Sequence, residues 1–164
     1  MRLDQKLLRK VKSTVFRSAR NHKLNVLSIV LYGSRAKGNF RAKSDYDIFV
    51  LLGDRTDLRR FIQFSAEARI MSSKIGLVKL FACTRKDFEA MLSGNPFLGA
   101  FCYIIATEGK PIYDKGSAFK SIQKTVAAYP AEKRRKLLKA CLEMSRKLGS
   151  KHWSKHWLKK LGEI

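Results

Sequence analysis

The chain is short of cysteine, of acid and of long apolar runs, and each shortage narrows what it can be. Its three cysteines, Cys83, Cys102 and Cys141, are scattered through 164 residues without a C-x-x-C pair. That spacing excludes a disulfide framework and argues against a zinc site, so the thiols read as buried side chains in a reducing compartment. No apolar run is long enough to span a bilayer, and basic residues interrupt the first helix where a secretory leader would be apolar. A cytoplasmic protein with no membrane partner is expected. Acids number 13 against 35 Lys and Arg, a net charge of +22. Such an excess favours polyanions through counterion release, RNA or DNA foremost; solubility is the other reading.

The length suits one domain with a small helical appendage, and a hydrophobic content of 45% is enough for a core. The organising stretch is Leu31–Val50, LYGSRAKGNFRAKSDYDIFV. Asp45 and Asp47 lie two apart ahead of an apolar run, so on a strand they share a face. At a spacing of roughly 7 Å they can hold one hard divalent cation. Gly33 lets the backbone approach a ligand, and Ser34 adds a hydroxyl and an N–H. Together they read as a phosphate cradle beside a metal site. Of the positive charges that follow, Arg35, Lys37, Arg41 and Lys43, the phosphate candidates are Arg35 or Lys43.

Around this stretch the pattern alternates helix and strand. Leu3, Leu7, Leu8, Val11, Val15 and Ala19 predict an amphipathic helix over 3–21 with a basic outer face. VLSIVLY after Asn25 predicts a buried strand delivering Gly33-Ser34 to its end, and Tyr46–Leu52 a second. A helix over 57–73 is expected to turn Leu58, Phe61, Ile62, Ala66, Ile70 and Met71 inward. Lys74–Phe81 reads as a third strand. Thr84 and Asp87 form a capping box, Ser93-Gly94-Asn95 breaks the helix it starts, and Pro96 opens the next, which ends near Gly109. From residue 118 on, 13 Lys or Arg face three Glu, and Pro130 and Gly149 divide the segment into helices. The tail repeats KHWS as KHWL in Lys151–Leu158. Trp153, Trp157 and Leu161 form one stripe that docks on the core or on a second subunit, with base stacking the weaker option. His152 and His156 stand four apart, with no third metal ligand in view.

Glycine, serine, ten residues, then Asp-x-Asp in an apolar setting resembles the DNA polymerase β-type nucleotidyltransferase superfamily. The minimal nucleotidyltransferase branch has a run close to GSxARGxAxxxSDxD. Its anchors appear here as Gly33, Ser34, Arg35, Ala36, Lys37, Gly38, Ser44, Asp45 and Asp47. The resemblance covers roughly residues 24–114, with EGKPIYD at Glu108–Asp114 similar to the usual close of the family core. It implies an α/β fold, a short mixed β-sheet backed by helices; the domain is expected over 1–116, and the charge and periodicity of the remainder, outside the resemblance, predict a basic helical extension over 117–164. It also implies transfer of a nucleoside monophosphate from an NTP to a hydroxyl of RNA, protein or a small molecule. Asp45 and Asp47 would be catalytic and hold Mg²⁺ or Mn²⁺. Gly33, Ser34, Arg35, Lys43 and Ser44 would hold the nucleotide. Members of the branch often pair with a HEPN-type toxin, which implies an antitoxin role; a homodimer is the other protein partner to expect.

One feature of the family is missing. Its third acid stands on the strand after the long helix in a context like K-V-D-L-V, and this chain reads Lys74-Ile75-Gly76-Leu77-Val78. On that alignment the acid has become Gly76. Asp54 lies too far along its strand to replace it, Glu67 reads as solvent-facing mid-helix, and Asp87 belongs to a helix start. Losing a general base costs about 10²–10⁴-fold, which weakens an enzyme without always abolishing it. The alternative reading is therefore a degenerate domain that binds nucleic acid through its basic helices.

Overall fold

The computed structural model describes residues 4–94 and 96–163. Leu3 of the first helical stripe and Asn95 of the helix break lie outside them. Helix α1 is Gln5–Asn21, capped by Asp4, whose carboxylate accepts from the Leu7 N–H at 2.9 Å. Leu8, Val11, Val15 and Ala19 are its buried apolar side chains, as the spacing requires, with Thr14 and Ser18 buried beside them. Strand β1, Val26–Tyr32, leads into the short helix α2, Gly33–Lys37, and a loop returns as β2, Tyr46–Leu52. Helix α3, Leu58–Ser73, carries the chain across to β3, Val78–Thr84. Then come α4, Arg85–Gly94, α5, Pro96–Glu108, and β4, Lys110–Asp114. The last helices are α6, Ala118–Ala127, α7, Ala131–Lys147, and α8, Lys151–Gly162.

The four strands form one mixed sheet in the order β3-β2-β1-β4. β1 is antiparallel to both its neighbours, while β2 and β3 are parallel. The parallel pair follows from the α3 crossover, since parallel strands need a long connection. Alternation along the two central strands then fills two cores. Ile29, Leu31, Ile48, Val50 and Leu52 face α1 and α3. Val30, Phe49 and Leu51 face the other way, into a cluster that includes Phe88 of α4, Ile105 of α5, Phe119 of α6, Leu138 of α7 and Trp157 of α8. The basic C-terminal helices thus share the core of the sheet.

Two expectations change. α3 does not bury Leu58, Ile62, Ala66 and Ile70, all of which are exposed. It buries Phe64, Ala68 and Ser72. That choice brings Glu67 to α1, where its carboxylate accepts from Ser18 Oγ at 3.0 Å and Asn21 Nδ2 at 3.0 Å and pairs with His22 Nε2 at 2.6 Å. Glu67 is therefore a helix–helix tie whose side chain stays partly open to solvent. The third strand also starts four residues later than the apolar run suggests. Lys74 to Leu77 make a turn, in which Ile75 N–H donates to Ser72 and Val78 N–H to Gly76.

Candidate active site

The sheet places three polar side chains in a row. Tyr32 on β1 is the register partner of Asp47 on β2, and Asp47 is the partner of Lys79 on β3. Register partners leave the same face of a sheet, and Asp45 lies on that face one step upstream. Lys79 Nζ reaches across to Asp45, 2.6 Å from Oδ2. Gly33 closes the group from above. Its φ is +71°, and a Cβ there would collide with the Asp47 carboxylate. Only glycine supplies both the left-handed turn and the room for that carboxylate.

The electrostatics follow from this crowding. Burial pushes Asp47 up to about 6; Lys79 pulls it down, Asp45 pushes it up again and Arg35 pulls it down. The hydrogen bond to Asp45, and its charge, hold the Lys79 ammonium above the usual lysine range. Burial, and then the Asp47 charge, push the Tyr32 phenol well above its ordinary value. The donor set fits a hard divalent cation: two carboxylates on one face, with a lysine ammonium already standing in for a cation at Asp45. Among the described residues no group of three metal-ligating side chains is present, so the rest of a metal shell would come from nucleotide phosphates and water.

Arg35 is buried, and its guanidinium is turned inward on the loop between α2 and β2. Nε donates to the Ser44 and Asp45 carbonyls at 2.9 and 3.2 Å. Nη2 donates to the Ala42 and Ser44 carbonyls at 3.2 and 2.7 Å. The Phe40 and Tyr46 rings cover it, at 4.6 and 3.8 Å to their centroids. Ser44 Oγ accepts from the Arg41 N–H at 3.0 Å within the same loop. Lys43 is exposed on that loop, and Ser34 is half-buried in the first turn of α2.

Gly76 does not face the pair. It sits in the turn before β3, where a Cβ would meet Leu7 of α1 at 3.1 Å. The β3 residue level with Asp47 is Lys79, so a cation, not a glycine, stands opposite the carboxylates. The other acids are committed: Asp54 accepts from the Lys86 N–H at 2.7 Å, and Asp87 closes the capping box with Thr84 Oγ1 at 2.7 Å. Sequence reasoning missed Tyr32 and Lys79, because only the strand register brings them beside Asp47.

The far end of α2 is pinned by the tail. Glu108 Oε1 accepts from Lys37 at 2.8 Å and pairs with His156 at 2.9 Å. Lys37 Nζ lies 4.2 Å from the Trp153 ring centroid, and Trp153 stacks on Trp157 at 5.9 Å. Trp157 is 2% exposed, so the stripe docks on its own core. The histidines of the tail meet the end of α2 and the loop after it, His156 at Lys37 and His152 at Asn39. Among the described residues they join no metal cluster.

A glycine turn thus packs against paired carboxylates at the end of a mixed sheet. The polymerase beta nucleotidyltransferase family model matches residues 16–117, more than half of the chain. The chain belongs to that family and is a nucleotidyltransferase. No curated protein sequence matches it. Among solved structures it is similar to the spectinomycin adenyltransferase AAD(9) from Enterococcus faecialis, crystallised with ATP and spectinomycin. That match has 16% identity and a TM-score of 0.59, covering 89% of this chain and 67% of that one. Coverage of that extent reaches into the helices beyond residue 117. A chain of a toxin-antitoxin crystallised with AMP-PNP matches at 20% identity and TM-score 0.44, covering 71% of this chain and 84% of that one.

Proposed function

We propose that the protein binds an NTP with Mg²⁺ or Mn²⁺ at Gly33, Ser34, Asp45 and Asp47 and transfers its nucleoside monophosphate to an acceptor hydroxyl. The observation that carries this is the fit of Gly33 against Asp47, with Asp45 on the same face: a backbone cradle and two carboxylates meet at one point. The metal would stabilise charge at the reacting phosphate. Asp45 and Asp47 would hold it, Gly33 would let the triphosphate approach the backbone, and Ser34 would donate to a phosphate oxygen. Arg35 would act on the site by holding the loop that carries Ser44 and Asp45, and Lys43, exposed on that loop as Arg41 is, would meet a phosphate. The acceptor hydroxyl would attack the α-phosphorus and give up its proton to water, and pyrophosphate would leave. The three buried free thiols fit a reducing compartment such as the cytoplasm.

The test is transfer of label from α-labelled NTPs, ATP first, with either metal. Total RNA, a HEPN-type partner protein and no acceptor are offered in parallel. Label moved by the wild type and not by an Asp45→Ala/Asp47→Ala variant supports the reading. Equal transfer by both proteins would sink it. An RNA or DNA acceptor or ligand is favoured by one further observation. Lys6, Arg9, Lys10 and Arg17 of α1 line a single open cleft with Ser13 and Thr14. Binding there should weaken steeply between about 50 and 200 mM salt.

A further inference from the structure

The transfer reading, on which this inference rests, gives Asp45 and Asp47 to a divalent cation and leaves Lys79 without a role. Its position is set by the sheet, because the β2–β3 register aligns Lys79 with Asp47 and sends both side chains from one face. The ammonium lies 2.6 Å from Asp45 Oδ2, yet the lysine side chain is 71% exposed. A pair that exposed contributes little to folding, and a flexible four-carbon stem lets the ammonium leave without disturbing the strand. Lys79 is therefore an exchangeable occupant of the metal side of Asp45.

We propose that Lys79 is a resident counter-cation of the carboxylate pair, displaced from Asp45 only when a divalent metal arrives together with a nucleotide. Charge sets the direction. Two carboxylates and one ammonium leave a single net negative charge, which the nearby Arg35 guanidinium offsets further, so a bare divalent ion meets weak attraction and close repulsion. A nucleoside triphosphate brings several negative oxygens. They ligate the incoming metal, and they give the displaced ammonium a new partner within the reach of its stem. Metal and nucleotide then each raise the other's affinity, and the coupling is reciprocal. The lysine keeps the site closed to metal alone and commits it to the metal–nucleotide complex.

Mn²⁺ binding read by electron paramagnetic resonance tests this without turnover, with and without α,β-methylene-ATP. Lys79→Gln should bind Mn²⁺ alone about tenfold more tightly than the wild type, and the enhancement by nucleotide should shrink by the same factor. Lys79→Arg, which keeps the charge, should behave as the wild type. Unchanged Mn²⁺ affinity and unchanged coupling in Lys79→Gln would overturn the proposal. An Asp45→Ala/Asp47→Ala variant that binds the Mn²⁺–nucleotide complex as tightly as the wild type would overturn the transfer reading, and this inference with it. Loss of binding in that variant with no response in Lys79→Gln would overturn the inference alone.

Discussion

Arg35, a phosphate candidate in the sequence, clamps the α2–β2 loop in the structure, and a lysine substitution separates the two roles. Lysine keeps the charge of a phosphate ligand but lacks the planar fork that serves several carbonyls at once. In the structure that fork makes four hydrogen bonds to the carbonyls of Ala42, Ser44 and Asp45. Hydrogen bonds to charged groups contribute about 1.5–3 kcal/mol each, but Ala42 is exposed and Ser44 and Asp45 are half-buried, so their freed carbonyls regain water. About 1 kcal/mol for each of the three carbonyls is the fair figure, or about 3 kcal/mol for Arg35→Ala. Arg35→Lys recovers one carbonyl and should still lose about 2 kcal/mol. In a chain of this size that is a melting point about 4–8 °C lower. Thermal melting with limited proteolysis of the loop over 38–45 measures both consequences. An Arg35→Lys variant with an unchanged melting point and an unchanged cleavage rate would refute the clamp.

Gly33→Ala forces a left-handed backbone on a residue with a side chain, at about 1–2 kcal/mol, and drives that side chain into the Asp47 carboxylate. Transfer should fall far more than stability, and equal losses in a labelling assay and a urea melt would contradict the placement. Trp157→Ala empties a fully buried site in the core under α8 and should cost about 3–5 kcal/mol in chemical denaturation. A cost below about 1 kcal/mol would show that α8 does not dock as described. Asp47 titrates at about 6 when folded against an ordinary 3.8, so its contribution to stability is full below the lower value and is lost as pH rises through the higher one. Asp47→Asn should flatten that part of a pH–stability curve. Mn²⁺ uptake in the presence of the nucleotide, which needs the carboxylate, should rise over the same interval, and a pH-independent uptake would count against Asp47 as a ligand.

The fold was legible where local pattern is strong. β1 and β2 stand where their β-branched runs lie, and the Thr84–Asp87 capping box starts α4 as its spacing requires. α3 was legible as a helix but not in its rotation. Its sequence carries two apolar stripes, and periodicity cannot say which packs when the deciding partners, Ser18, Asn21 and His22, lie on another helix. The alignment of Gly76 with a lost acid failed for a related reason. It matched a short apolar word, whereas the sheet pairs by register, and register opposes Lys79 to Asp47.

The sequence by itself determined the family-like core of this protein. Glycine, serine and two alternate aspartates at that spacing carry the resemblance, since a strand places alternate residues on one face and a glycine permits the tight turn. Tertiary structure alone decided what surrounds those groups. It brought Tyr32 and Lys79 level with Asp47, turned Arg35 into the loop, and laid Trp153 and Trp157 against Lys37. Each of these contacts joins residues on different elements. Their placement follows from strand register and helix docking, which depend on packing across the whole core rather than on any local run of residues.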